Sequence, residues 1–197
     1  MKISMASLFS ILFSILRKPA FLRRNIKEIR VTATLILGGA RSGKSLHAEK
    51  LALAAPGRPI HIATAEALDA EMAERIALHQ ARRDERWLSH EAPLDLVGAL
   101  AATEGGGARL IDCLTLWLSN LMHHDRDWRA ETEALAAALK LQSSPVILVA
   151  NEVGMGIVPE NALARRYRDA AGILNQIVAQ AADEVILVVA GLPMRVK

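Results

Sequence analysis

The chain has 197 residues, of which 52% are hydrophobic and 4% aromatic, with one cysteine. This length suits one α/β domain, and the low aromatic content requires a core of Ala, Leu, Ile and Val. The single cysteine, Cys113, excludes an internal disulfide and fits a reducing compartment such as the cytoplasm. We expect it to be a small core residue rather than a nucleophile.

The positive charge lies mostly at the N-terminus. Residues 1–31 contain seven Lys or Arg residues and one acidic residue, a net charge of +6. Because the whole chain carries +3, the remainder carries −3. A slightly acidic body gives no electrostatic case for binding nucleic acid. We therefore divide the chain into an N-terminal extension, residues 1–31, and a globular domain, residues 32–197.

The extension contains an apolar run, residues 5–16, that is too short to span a bilayer as a helix, which needs about 20 residues. A secretory signal fits poorly, because only Lys2 precedes the run and Arg17 and Lys18 follow it. Two interpretations stay open. The extension is an amphipathic helix at a membrane surface, or it is disordered or an artefact of an upstream start, with the working protein beginning near Val31.

The clearest motif is G-x-x-x-x-G-K-S, set between an apolar run at 34–37 and a helix-like segment at 44–53. Glycines at this spacing let backbone N–H groups converge on phosphate oxygens at the positive end of the following helix. Lys44 is expected to reach the β- and γ-phosphates, and the Ser45 hydroxyl to bind Mg²⁺. The predicted phosphate loop consists of Gly38, Gly39, Ala40, Arg41, Ser42, Gly43, Lys44 and Ser45.

Apolar runs alternate with helical patterns along the rest of the domain. This alternation predicts an α/β fold with a doubly wound, mostly parallel sheet and right-handed crossovers. Segment 87–93 has the composition of a loop. The predicted strands are 34–37, 58–65, 108–112, 145–150 and 184–190, and the predicted helices are 44–53, 67–83, 94–102, 114–122, 128–141 and 161–182.

Two polar residues on these elements are candidates for chemistry. Asp112 ends a buried strand, where it either holds Mg²⁺ or caps the helix that follows. His79 lies near the inward stripe of helix 67–83, and by residue reasoning alone a half-buried structural histidine is the ordinary interpretation. His123 and His124 fall between two helices, where adjacent histidines are more often solvated than metal ligands.

The phosphate loop leaves several activities open. The chain contains no Asn-Lys-x-Asp element to read guanine, and its D-x-x-G match at 169–172 falls inside a helical pattern, so a switch GTPase is disfavoured. A small-molecule kinase needs a second substrate pocket. Loops after Thr64, Glu91, Asp112 and Asn151 could form one.

Longer motifs make the chain resemble the bifunctional adenosylcobinamide kinase/adenosylcobinamide-phosphate guanylyltransferases of cobalamin biosynthesis. The resemblance spans residues 34–197 and is much more specific than the phosphate loop alone. It departs at His61, where an aromatic is expected, and at Ser89, where Thr is usual. The matching segments are 38–45, 62–65, 69–79, Trp87 with Glu91, 112–120, 151–161 and 168–176.

The resemblance implies a P-loop (RecA-like) nucleotide-binding fold and two reactions. The enzyme phosphorylates the aminopropanol hydroxyl of adenosylcobinamide, then transfers GMP from GTP to that phosphate through a GMP–histidine intermediate at the position of His79. ATP and GTP are the nucleotide substrates and Mg²⁺ the cofactor. The family further implies a cytoplasmic homo-oligomer, a trimer, with a corrinoid as the small-molecule partner.

The same resemblance implies further site residues. The loop at 151–161 shapes either the corrinoid pocket or a subunit contact. Two other functions stay open: a kinase with only one of the two activities, and a nucleotide-dependent binding protein tethered to a membrane by its N-terminus. The residues expected to contact GTP or its metal are Ala63, Thr64, Ala65, Gln80, Ala81, Arg82, Arg83, Glu91 and Asp112.

Overall fold

A computed structural model describes residues 33–66, 74 and 84–197 of the chain. The N-terminal extension lies outside the described residues, and so does the helix expected at 67–83 apart from Glu74, which is helical. So do His79 and the four residues that follow it, which remain predictions. Within the described part, no helix is both long enough and apolar enough to cross a bilayer.

The domain is built on one seven-stranded sheet with the order β3-β2-β4-β5-β1-β6-β7. All neighbouring strands run parallel except β7, which is antiparallel to β6. The doubly wound, mostly parallel α/β fold is therefore confirmed. The strands are β1 (Ala33–Gly38), β2 (Ile60–Ala63), β3 (Leu88–Glu91), β4 (Arg109–Asp112), β5 (Val146–Asn151), β6 (Glu184–Val189) and β7 (Leu192–Arg195).

Five helices of the described part connect these strands, each within a few residues of its expected position. One short loop or turn precedes each helix, and an Asp or Asn side chain caps three of them by accepting backbone N–H groups. The helices are α1 (Lys44–Ala54), α2 (Leu96–Ala102), α3 (Leu114–His123), α4 (Trp128–Leu139) and α5 (Ala162–Ala181).

The sequence patterns did not predict two of the strands, β3 and β7, which are the outer strands of the sheet. Segment 87–93, expected to be a loop, contains β3, which pairs in parallel with β2. Leu88 is 42% exposed and the strand has only four residues, so it lacks the apolar run that marked the central strands. Strand β7 contains Pro193, and all four of its residues are exposed. Edge strands of this kind are set by pairing with a neighbour rather than by burial.

Helices cover both faces of the sheet. On one face, Ile36 and Val149 pack against Ala48 and Ala52 of α1. On the other face, a larger cluster joins the sheet to α2, α3, α4 and α5. Successive side chains of a strand point to opposite faces of the sheet. Every second residue counted from Leu110 in β4 or from Val149 in β5 therefore lies on the face that α1 covers. This parity places Asp112 and Asn151 on the face that carries the phosphate loop.

A buried arginine stabilises the opposite, amino-terminal edge of the sheet. Arg109, at the start of β4, is fully buried and donates to the Glu104 carboxylate, to Gln142 Oε1 and to two backbone carbonyls. Glu104 in turn accepts from Ser143 and from the backbone of Ser144. The pKa of Glu104 is raised by desolvation, but the Ser143 and Arg109 hydrogen bonds outweigh this effect and lower the pKa to about 2.

Candidate active site

Five of the parallel strands, β1 to β5, end at the carboxyl edge of the sheet, where the phosphate loop follows β1. Ala63 is the Cα partner of both Glu91 and Asp112, so the ends of β2, β3 and β4 are level. On the other side of β4, Gly38 is the partner of Asn151 at the ends of β1 and β5. Ligands of open α/β sheets bind at this edge, where strand ends and helix N-termini converge.

The phosphate loop has the backbone geometry that phosphate binding requires. Arg41 and Gly43 adopt positive φ angles, 55° and 93°. Gly43 is the N-cap residue of α1 and makes no side-chain capping hydrogen bond to the first backbone N–H groups of the helix. Ser42 N–H donates to the Gly39 carbonyl at 3.2 Å, which closes the turn. These N–H groups and the helix dipole make an anion site.

Lys44 is held inside this loop. It is only 9% exposed, and its Nζ donates to the Gly39 carbonyl at 3.1 Å. Burial lowers the pKa of Lys44, and electrostatic interactions with Cys113, when it is ionised, and with Asp112 partly oppose that shift. The ammonium group therefore lies within electrostatic range of the end of β4.

Asp112 lies at the tip of β4 and not at the N-cap of α3. The N-cap residue is Cys113, whose side chain makes no capping hydrogen bond, so Asp112 lies one residue before the N-cap position. The peptide bond between Asp112 and Cys113 is cis. Cys113 is buried, and burial raises the pKa of its thiol. The thiol is a core group, as the composition suggested.

Thr64 lies at the predicted nucleotide site, but its side chain is already committed. Its hydroxyl accepts from Cys113 N–H and donates to the Cys113 carbonyl, both at 2.8 Å, and the residue is fully buried. Its own carbonyl accepts from Asn120 Nδ2 at 2.7 Å. Any contact of the 63–65 segment with nucleotide must therefore use main-chain groups or the flanking alanines.

The residue that ends β5 is fixed by its backbone. Asn151 N–H donates to Thr115 Oγ1 at 2.7 Å, and its carbonyl accepts from Asn175 Nδ2 at 3.3 Å. Tyr167 Oη donates to the Thr115 carbonyl at 2.8 Å, and burial raises the Tyr167 pKa. Asn151 Oδ1 is buried without a hydrogen-bond donor in the described part of the chain. It is an acceptor that faces α1 and the phosphate loop.

Among the residues that the structure describes, the histidine pair belongs to no group of three or more His, Cys, Asp or Glu side chains that could hold a metal ion. His124 Nε2 lies 3.3 Å from a Glu66 carboxylate oxygen, with 43% of the histidine side chain exposed. His123 contacts the ring of His124 edge to face. Sequence reasoning expected solvated side chains here, and the Glu66 contact is an addition to that expectation.

Sequence reasoning gave no role to several residues that hold this edge together. Asn120, Thr115 and Asn175 belong to segments that were recognised only as parts of motifs. The sequence of α3 does single out one of these residues, because Asn120 is the one amide among the buried positions of this apolar helix. Such a residue needs hydrogen-bond partners, and their identity depends on which loops the fold brings to the helix.

A protein-family model and individual similar proteins agree on the family that this chain matches. The family model described as cobinamide kinase / cobinamide phosphate guanyltransferase matches residues 34–196. The chain is 49% identical over 166 residues to the bifunctional adenosylcobalamin biosynthesis protein CobP of Pseudomonas aeruginosa, covering 83% of this chain and 96% of that protein. It is 44% identical over 179 residues to the bifunctional protein CobU of Salmonella typhimurium, covering 83% and 98%.

A solved structure from Pyrococcus horikoshii OT3 has a TM-score of 0.50 at 8% identity, covering 84% of this chain and 86% of that one. At this identity the likeness concerns the fold alone, and it agrees with the doubly wound sheet. The family match takes in the phosphate loop and all seven strands of the sheet except the first residue of β1. The chain therefore belongs to the cobinamide kinase / cobinamide phosphate guanyltransferase family.

Proposed function

We propose that this chain phosphorylates adenosylcobinamide and then transfers GMP from GTP to the resulting phosphate, giving adenosylcobinamide-GDP. The observation that carries the proposal is the position of the phosphate loop beside the level ends of β2, β3 and β4. In a chain of this family, that edge places Asp112 two strands from the strand that carries the phosphate loop, and Glu91 two strands further along the sheet. Both reactions use a nucleoside triphosphate, so one phosphate-binding edge can serve both.

In the kinase step, the corrinoid hydroxyl oxygen attacks the γ-phosphorus of ATP or GTP. The bond between the γ-phosphorus and the bridging oxygen breaks, the nucleoside diphosphate leaves, and the hydroxyl proton passes to solvent water. The phosphate loop holds the β- and γ-phosphates through backbone N–H groups. Lys44 places its ammonium against the charge that develops on them during transfer. Asn151 Oδ1, an acceptor on the same face, is suited to a donor from a bound water or hydroxyl.

The residues at this edge fit Mg²⁺, which prefers oxygen ligands and usually takes one or two from protein alongside phosphate oxygens. Ser45 and Asp112 would hold it, since Asp112 lies close enough to Lys44 to influence its pKa and Ser45 follows Lys44 in the chain. The unpartnered oxygen of Asn151 would accept from a water in such a site. When bound, Mg²⁺ neutralises charge on the transferring phosphate.

In the guanylyl step, a neutral His79 imidazole nitrogen attacks the α-phosphorus of GTP. A nitrogen–phosphorus bond forms, and the bond from the α-phosphorus to the bridging oxygen breaks, releasing pyrophosphate. An oxygen of the corrinoid phosphate then attacks the same phosphorus and displaces the histidine. An unperturbed imidazole pKa of about 6.5 leaves much of the nucleophile available at neutral pH.

The first test is to incubate the protein with Mg²⁺ and α-labelled GTP, denature it, and measure acid-labile label on the chain. Wild type is expected to take label and His79→Ala to take none. His123→Ala is the matched control, because it removes an exposed histidine from the C-terminal end of α3. A phosphoramidate is labile to acid and stable to base, which distinguishes it from a phosphoester.

Label on wild type and on His123→Ala but not on His79→Ala would support the guanylyl–histidine step. Wild type without label, but with phosphorylation of adenosylcobinamide, would favour the single-activity kinase. The third alternative, a tethered binding protein, requires binding of anionic vesicles with no turnover of either kind.

The loop after β5 is the proposed contact for the corrinoid. It begins at Asn151 and carries exposed apolar side chains, with Met155 81%, Ile157 97% and Val158 60% exposed. Such a surface fits either the corrinoid or a second subunit. Ile157→Ser separates them: a raised KM for adenosylcobinamide at unchanged molar mass supports the corrinoid contact, whereas a lower mass by light scattering supports the subunit contact. The oligomeric state and a cytoplasmic location remain predictions.

A further inference from the structure

We infer that Thr64 and Asn120 are positioning residues, which together lock the carboxyl ends of β2, β3 and β4 into the arrangement that guanylyl and phosphoryl transfer require. We call these two side chains, with their backbone partners in Cys113 and Pro93, the strand-end clamp. The inference rests on the proposed function, because it assigns the clamp to the residues that the proposed reactions use.

The clamp consists of four hydrogen bonds between segments that are distant in sequence. The Thr64 hydroxyl joins the end of β2 to both backbone groups of Cys113, directly after Asp112. The Asn120 amide uses both N–H groups, one to the Thr64 carbonyl at 2.7 Å and one to the Pro93 carbonyl at 3.0 Å. Pro93 follows Glu91 by two residues. The strand-end clamp therefore reaches all three strand ends. Glu91, Ala63 and Asp112, which are level across the sheet, each lie within two residues of a residue that makes one of its bonds.

The clamp is not explained by packing alone. Asn120 is 4% exposed, and the other buried positions of α3 are apolar, with Trp117 and Leu121 beside it on the helix. A leucine of nearly the same shape would fill this site without the desolvation cost of an amide. The four bonds offset that cost only while all three strand ends keep their present separation. A fully satisfied buried network of this kind specifies one geometry.

The clamp acts on only one part of the site. None of its four bonds involves residues 38–45, which are held by β1, α1 and the turn after β6. Loss of the clamp should leave the grip on the triphosphate intact and shift Asp112 and Glu91 relative to it. Misplacement of reacting groups by about 1 Å can cost on the order of 100-fold in rate. The effect should therefore appear in kcat and much less in the KM for GTP.

The test compares the full-length wild type with four variants, measuring kcat and KM for GTP in guanylyl transfer and the midpoint of thermal unfolding. Thr64→Val keeps the shape and removes the hydroxyl, whereas Thr64→Ser keeps the hydroxyl. Asn120→Leu removes both amide donors. Trp117→Phe is the control, because Trp117 Nε1 donates to the Leu94 carbonyl at 2.8 Å, from the same helix to the same loop, and this bond involves no residue of β2 or β4.

We expect kcat to fall roughly 10- to 100-fold in Thr64→Val and Asn120→Leu, with the KM for GTP within about threefold of wild type. Thr64→Ser should recover most of the turnover lost in Thr64→Val. Trp117→Phe should unfold at a lower temperature yet turn over like wild type. Full turnover in both clamp variants, or an equal loss in Trp117→Phe, would overturn the inference. A wild type without guanylyl transfer would instead contradict the proposed function.

If Asn120→Leu does not fold, the two Thr64 variants decide the matter, since valine and serine each preserve half of the threonine side chain. A loss that is the same for valine and serine would mean that shape, not the hydroxyl, matters, and would also overturn the inference.

Discussion

Gly191 N–H donates to the Ser42 carbonyl at 2.8 Å, so the turn between β6 and β7 directly supports the phosphate loop. A Cβ built on Gly43 would lie 3.1 Å from Gly191 Cα, which shows how closely the two segments approach. The β6–β7 hairpin therefore supports the phosphate loop, although it lies far from it in sequence. The loop can hold its shape before nucleotide binds because strands on both sides of it are already paired.

The first glycine of the phosphate loop should be intolerant of any side chain. A Cβ on Gly38 would lie 2.5 Å from Ser42 Oγ and 2.7 Å from the Val188 carbonyl, whereas a Cβ on Gly39 would meet no atom within 4 Å. Gly38→Ala must displace either the loop or β6, and we expect a loss of about 2–4 kcal/mol in unfolding free energy. Gly39→Ala should lose less than about 1 kcal/mol. Urea denaturation of both variants checks this, and equal losses would contradict it.

Replacing the buried lysine should separate activity from stability. Lys44→Met removes the cation that faces the phosphates, and we expect kcat for phosphoryl transfer to fall about 10²- to 10³-fold. Because burial disfavours the ammonium form, the unfolding temperature should be unchanged or higher. Lys50→Met, at an exposed position of the same helix, is the control and should alter neither quantity. A variant that loses both activity and stability would place Lys44 in a mainly structural role.

The central elements could be predicted from the sequence because each is specified by local pattern. Strand β5 is a continuous apolar run buried on both faces, and the phosphate loop has its glycines and lysine at fixed spacing. Strand β3 could not be predicted, since its position comes from pairing with β2 and its residues are mostly exposed. Strand β7, at the other side of the sheet, is likewise exposed and is placed by its pairing with β6.

The site was predictable in its outline and not in its internal connections. Asp112 was identified because it ends a buried strand, and the strand parity that places it beside Lys44 follows from that assignment. The partnership between Thr64 and Cys113 joins residues 49 positions apart, and that between Asn120 and Thr64 joins residues 56 apart. No local pattern encodes such pairs, because they depend on which strand lies next to which in the sheet.

The start of the loop after β5 should depend on a single hydroxyl. Thr115→Val removes the acceptor for the Asn151 N–H and leaves that donor without its 2.7 Å partner. The expected cost is about 1–3 kcal/mol of unfolding free energy, together with a higher KM for adenosylcobinamide if the loop binds the corrinoid. Thr115→Ser retains the acceptor and should remain close to wild type. Denaturant unfolding and corrinoid kinetics measure the two effects, and a fully stable Thr115→Val would show that the N–H finds another acceptor.

The ion pair at the opposite edge of the sheet should make stability depend on acid pH. The pKa of Glu104 falls from 4.5 to about 2 on folding, so the Glu104 carboxyl binds a proton more weakly in the folded state than in the unfolded state. The stability that this group contributes is present above pH 4.5 and is lost as the pH falls from 4.5 to about 2. Glu104→Gln should therefore be destabilised at pH 7 by about 1–2 kcal/mol, a value reduced for the third of the side chain that is exposed.

The difference between wild type and Glu104→Gln should shrink steadily between pH 5 and pH 2, because the wild-type carboxyl becomes protonated and can no longer pair with Arg109 as an anion. Glu133→Gln, an exposed position on α4, is the control and should follow wild type over the whole range. Urea unfolding at a series of pH values gives both curves. A difference that stays constant with pH would show that the Arg109 network depends on hydrogen bonding and not on the Glu104 charge.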